Sequence, residues 1–274
     1  MNATSTNELD VLRADLIAEQ DELDGLVAPL SDERWMLATP SPGWNVADQI
    51  GHLTYFDGSA VNAILDPERF QAEMGDLIEG ALAEGVDTFT LGAFRTLAPR
   101  QQLAAWRYNR SALAAAARTL NDDTRVEWYG PSMGARSFLT ARLMEAWAHG
   151  TDVADALGVE RPATDRLRHV AQLGFITRKW SYKVRGEEPP AGTVRLELIG
   201  PKDEVWTWGD EDAADTIRGS AQEFCLVVTQ RRHLDDTSLE TGDLGRHWML
   251  RAQAFAGTAS TGPEPRSTDG PRRD

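Results

Sequence analysis

Apolar residues recur at helical spacing through most of the first two thirds of the chain. Leu9, Leu12, Leu16, Leu23 and Leu26 predict a first helix, with Thr4, Ser5 and Thr6 as candidate caps. A short helical turn is expected over Ser31–Trp35. Two prolines and a glycine make 39–44 a loop. Asn45 then caps a helix carrying Val46, Ile50, Leu53 and Phe56. Pro67 opens another helix reaching about Gly85, and an alanine-rich one spans about Pro99 to Leu120. The longest uninterrupted helical pattern runs from about Ser137 to Leu157 and stops at Gly158.

The period then changes. A helix at about 165–184 is followed by the turn-rich run Glu187–Gly192. Val194–Ile199 alternates apolar and polar residues as a half-buried strand does. Gly200–Glu204 reads as a hairpin loop, Val205–Trp208 as a second strand and Asp215–Arg218 as a third. Helical patterns return at about Ser220–Arg231 and Leu244–Phe255. These patterns predict a helical bundle over 1–185, a small α+β domain over 186–257, and a disordered, Gly-, Pro-, Ser- and Arg-rich tail over 258–274.

Charge narrows the partners. The 274 residues carry 28 basic and 43 acidic groups, a net of −15. Such a surface repels phosphate backbones and anionic lipid, so neither nucleic acid nor membrane is an expected partner. No apolar run approaches the ~20 residues that span a bilayer, and Met1–Asp10 lacks a basic segment leading into an apolar one. The one cysteine, Cys225, has no internal partner, which fits a reducing cytoplasm. Its apolar neighbours predict a buried, inert thiol. Nine tryptophans imply a filled core or aromatic-lined pockets. The composition leaves a monomer and a homodimer equally open.

The candidate chemistry lies with the five histidines. Glu145 and His149 are four apart on the long helix, so they share a face, and Asp152 follows three residues later on that face. A carboxylate and an imidazole so placed can hold a metal ion with a third ligand from another helix, for which His52 is the obvious source. A His2Glu set typifies catalytic zinc sites, in which a position stays open. The same donors suit nickel, iron and manganese. Asp152 is either an acceptor behind His149 or a solvated carboxylate near Gly150. Tyr55, one turn past His52, is a candidate donor to a metal-bound oxygen. Asp57 is expected at the surface, and Asn62 and Arg107 are possible entrants to the same cleft. Trp35 and Trp44 flank the preceding loop as core or as pocket wall. Arg231, Arg232 and His233 form a basic cluster. It is either a set of cations at a helix C-terminus or an anion site for a carboxylate of cofactor or substrate. His169 and His247 are expected to be structural or exposed. Phosphate-cradling and dinucleotide motifs are absent.

Two segments carry a family resemblance. Ser41-Pro-Gly-Trp-Asn-Val-Ala-Asp-Gln-Ile-Gly-His52-Leu and Glu145-Ala-Trp-Ala-His149-Gly-Thr-Asp152 resemble the loop, first histidine ligand and Glu-x3-His pair of the DinB-like four-helix metalloenzymes. The closer likeness is to their mycothiol-dependent maleylpyruvate isomerase branch. Phe224–Thr237 and Trp248–Gly257 resemble an actinobacterial metal-binding subgroup with a sterol-carrier-like C-terminal domain. The resemblance implies an up-and-down four-helix bundle, a zinc ion on His52, Glu145 and His149, and mycothiol or another low-molecular-weight thiol acting with a small-molecule substrate. It admits an isomerase or a thiol S-transferase. A thiol-independent Lewis-acid hydrolase, lyase or cyclase remains an alternative. So does a non-catalytic metal- and ligand-binding protein, with Asp152 as a fourth ligand.

Overall fold

In the computed structural model, residues 8–266 are described; the capping candidates Thr4, Ser5 and Thr6 and the last eight residues lie outside that range. The chain divides into two compact units, one ending at Arg161 and the other beginning at Pro162.

The first unit is helical. α1 (Glu8–Val27) buries Leu9, Leu12, Leu16 and Leu23, with Glu19, Gln20 and Asp24 on the same inward side. After a turn of helix, α2 (Asp32–Trp35), comes α3 (Val46–Leu65). Its start is fixed by a capping box in which Asn45 and Asp48 each accept the other's backbone N–H. α4 (Pro67–Glu84) has proline in its first turn and an Asp66 cap. α5 (Val86–Arg95), where the sequence reading placed no element, follows Gly85. Its Phe89 ring lies across Gly80, where an added Cβ would stand 2.0 Å from a ring carbon. α6 (Pro99–Ala117) leads into a two-residue hairpin, β1 (Arg125–Val126) and β2 (Met133–Gly134), and then α7 (Ala135–Leu157). Gly158, at φ +66°, ends α7 in the left-handed conformation that L side chains rarely adopt. α3 packs on α6 and α7, and α1 on α7, giving the expected four-helix bundle. At its core Trp35, Val46, Ile50, Leu53, Trp106 and Val153 pack together.

The second unit holds α8 (Leu167–Ile176), α9 (Arg178–Lys183), β3 (Val194–Ile199), β4 (Val205–Trp208), β5 (Asp215–Ser220), α10 (Ala221–Val228) and α11 (Asp243–Met249). β3 is central, antiparallel to β4 and parallel to β5. Val194, Leu196 and Leu198 face inward and the residues between them outward. The fold is thus the expected α bundle with a small α+β region.

Two boundaries differ from the sequence reading. The units part at 161/162, not at 185/186, because α8 packs against α10; Gly174 sits against Phe224 and Val228. The expected tail is ordered through Arg266. Ser260 bonds to Gln253 and Gln230, and the Arg266 N–H to Asp236. A chain poor in large apolar groups can still be held by backbone hydrogen bonds to a folded surface.

Candidate metal centre

The centre is built from one residue of α3 and two of α7. His52 Nε2 lies 3.6 Å from Glu145 Oε2, and His149 Nε2 lies 3.1 Å from the same oxygen. The three ligand atoms lie within 4.8 Å of one another, and no other His, Cys, Asp or Glu joins the group among the described residues. His149 is buried, whereas the side chains of His52 and Glu145 are each about one fifth exposed, so the group is reachable from one side.

A hydrogen-bond relay sets the tautomer of His149. The Trp44 carbonyl can only accept, so the Thr39 hydroxyl donates to it at 3.0 Å. Thr39 Oγ1 then accepts from Gln49 Nε2 at 2.8 Å, which turns Gln49 Oε1 toward His149 Nδ1 at 2.5 Å. Nδ1 therefore carries the proton, and Nε2 presents a lone pair to the Glu145 carboxylate. Two lone pairs 3.1 Å apart repel unless a proton or a cation sits between them. With a proton in that place, burial works against the Glu145 charge, but hydrogen bonds from His149 and His52 outweigh it and hold the carboxyl well below its ordinary range. Two imidazoles and an ionised carboxylate form a donor set that fits a divalent transition ion, and the Gln49 contact is the outer support that ligating histidines usually have.

Aromatic rings close the surroundings. Trp44 is stacked on His149 at 5.9 Å and tilted against His52 at 5.2 Å, and its Nε1 donates to Asp87 at 2.8 Å. Phe56 stands 4.6 Å from His52 and meets Trp128 and Tyr129 of the β1–β2 loop.

The other sequence candidates fall in several places. Asp152 is outside the ligand group; it is buried and accepts from Ser41 Oγ at 3.0 Å, tying the 39–44 loop to α7. Gln49 takes the position behind His149 that Asp152 was a candidate for. Tyr55 lines a separate cavity, to which none of the three ligands contributes, and Asn62 lines it too. Arg107 instead forks onto Asp24. Asp57 is not a surface charge: it is 1% exposed and pairs with the equally buried Arg142 at 2.9 Å. Trp35 belongs to the core and Trp44 to the site wall. Arg231 and Arg232 lie in the second unit, just past α10, and bond to the Thr229 and Arg231 carbonyls. His233 accepts from the Asp235 N–H, and His247 stacks on Tyr182. Cys225 is buried, which pushes its thiol well up. Sequence reasoning missed Gln49, although its place three residues before His52 puts it on the same side of α3.

A helical bundle that gathers two histidines and a glutamate narrows the class by fold and donor set; comparison supplies the family. Residues 16–154, the span that contains all three donors, match the family model described as the mycothiol maleylpyruvate isomerase N-terminal domain, and the chain belongs to that family. Uncharacterized proteins from two strains of Mycobacterium tuberculosis are each 44% identical over 252 residues, 91% of this chain and 96% of theirs. The crystal structure of the mycothiol-dependent maleylpyruvate isomerase superposes with a TM-score of 0.58 at 16% identity, covering 88% of this chain and 96% of that one. A histidine-to-alanine mutant of it gives 0.56, also at 16%, over 84% and 92%. At that identity the likeness establishes the fold. No helix among the described residues is long and apolar enough to cross a membrane.

Proposed function

We propose that the chain is a mononuclear metal enzyme, with zinc on His52, Glu145 and His149, that acts on a small organic substrate together with a low-molecular-weight thiol such as mycothiol. The observation that carries this reading is the meeting of two imidazoles and one carboxylate with His149 held in the tautomer a ligand needs. Family membership supports the thiol. A bound divalent ion supplies Lewis acidity, which lowers the pKa of a thiol or water and so provides a nucleophile near neutral pH.

The chain's own groups do the rest. Glu145 would contribute the negative charge of the donor set. Gln49 fixes the His149 ring, and Trp44 walls one side of the centre with an apolar face. A thiolate that adds to an activated double bond leaves a single bond free to rotate. Expulsion of the same thiolate restores the double bond, so isomerisation consumes no thiol. Arg231 and Arg232, in the second unit, are candidates for binding a carboxylate.

The test has two parts. Elemental analysis after purification without added metal should find near-stoichiometric zinc in the wild type and none in folded His149→Ala. Turnover of candidate cis-unsaturated acids should then require mycothiol. Equal rates with and without it would overturn the thiol role, and metal-free folded wild type would overturn the metal.

A further inference from the structure

A cavity in the first unit lies away from the metal centre, between α3, α4, α5 and α6. Its volume is about 650 Å3, the size of a small-molecule site. We propose that it binds a small organic ammonium ion. The inference is independent of the metal reading, because none of the three ligands lines this space.

Four aromatic side chains form its apolar part: Tyr55, Phe89, Phe94 and Tyr108. The polar lining carries two carboxylates, and its amides direct N–H groups at other protein groups. Asn62 Nδ2 donates to both oxygens of Glu73, at 3.0 and 2.8 Å. Asn109 Nδ2 donates to the Thr54 carbonyl at 2.8 Å, in a close approach that Gly58 permits. Each amide also has a carbonyl oxygen that can accept. Ser59 donates to the Tyr55 carbonyl and accepts from Tyr129.

The charges agree. Glu73 and Asp76 both line the cavity, and the only cation in its lining, Arg69, has its Nε on Glu73 at 2.8 Å and a side chain that is 64% exposed. The net charge of the lining is negative. Burial first, and then the fields of Tyr129, Glu73 and Asp76, push the Tyr55 hydroxyl up, so it lines the space as a neutral phenol. A site that offers carboxylates and aromatic faces is complementary to a head group that carries positive charge and accepts no hydrogen bond.

The probes are choline, benzyltrimethylammonium and 3,3-dimethylbutan-1-ol, the uncharged carbon isostere of choline, titrated calorimetrically into the full chain. Both ammonium ions should bind saturably at one site, with the isostere about tenfold or more weaker. Glu73→Gln keeps shape and removes charge; Phe89→Leu keeps charge and removes a π face. Each should weaken both ammonium ions while circular dichroism and the melting temperature stay near wild type. An isostere as tight as choline, affinities unmoved in both folded variants, or no saturation by either ammonium ion would each overturn the proposal.

Discussion

His149 Nδ1 lies 2.5 Å from Gln49 Oε1, across 100 residues of chain and between the two helices that supply the metal ligands. The contact makes the ligand orientation a property of the bundle, since Gln49 is itself held by Thr39 and the Trp44 carbonyl. Gln49→Leu should therefore weaken zinc by about 10–100-fold, the usual cost of losing a ligand's outer support. Gln49→Glu, which still accepts, should bind at least as tightly as wild type. Competition titrations against a chromophoric chelator read both. Unchanged affinity in Gln49→Leu would show that the relay does not orient the ligand.

Trp44 stands against both imidazoles, at 5.2 Å from His52 and 5.9 Å from His149. Removing the indole opens the centre to water, which strengthens competition for the ion and weakens local electrostatics. Trp44→Ala should release zinc to excess chelator about tenfold faster than wild type, as loss of the shell around a site typically does. Trp44→Phe keeps a ring and should release it at close to the wild-type rate, although it gives up the bond to Asp87. Equal rates in all three proteins would remove Trp44 from the site.

Legibility in the sequence followed the range of the interactions. Asn45 as a cap, Gly158 as a stop and the shared face of Glu145 and His149 depend on residues within about one turn, and all stand as read. His52 was placed by pattern and resemblance together. Asp57 was misread because its partners, Gln20 and Arg142, lie 37 and 85 residues away on other helices. The division at 161/162 was hidden for the same reason: α8 continues the helical run of the first half but buries its face on α10. Tyr55 shows the limit of a one-turn argument. His52 and Tyr55 differ by 60° around α3, enough for one to meet Glu145 and the other to line the cavity.

The Asp57–Arg142 pair supplies a stability prediction. Both residues are nearly fully buried, Gln20 donates to Asp57 at 3.2 Å, and the Arg142 guanidinium lies 5.8 Å from the Trp128 ring centre. Removing one partner strands a buried charge, so Asp57→Ala should cost about 3–5 kcal/mol in urea unfolding. Replacing both with apolar groups of similar volume, Asp57→Leu with Arg142→Met, should recover most of that loss. A double variant no better than Asp57→Ala would mean that the surrounding packing, not the stranded charge, sets the cost.

Asp24 provides the pH dependence. Arg107 forks onto it at 2.7 and 2.6 Å and Arg110 adds a bond at 2.9 Å, joining α6 to α1. The Arg107 hydrogen bond is the main cause that lowers its pKa below 3.8, against the opposing effect of burial. A carboxyl whose pKa is lower folded than unfolded gives stability that is present in full above the unfolded value and disappears as pH falls through the folded one. Arg107 is half exposed, so solvent screens part of the interaction. Asp24→Asn should therefore cost about 1–2 kcal/mol at pH 7. The gap from wild type should hold down to about pH 4 and close as the pH is lowered further. Urea midpoints of both proteins between pH 7 and 2 measure it, and a gap that stays constant over that range would assign the cost to lost packing instead of charge.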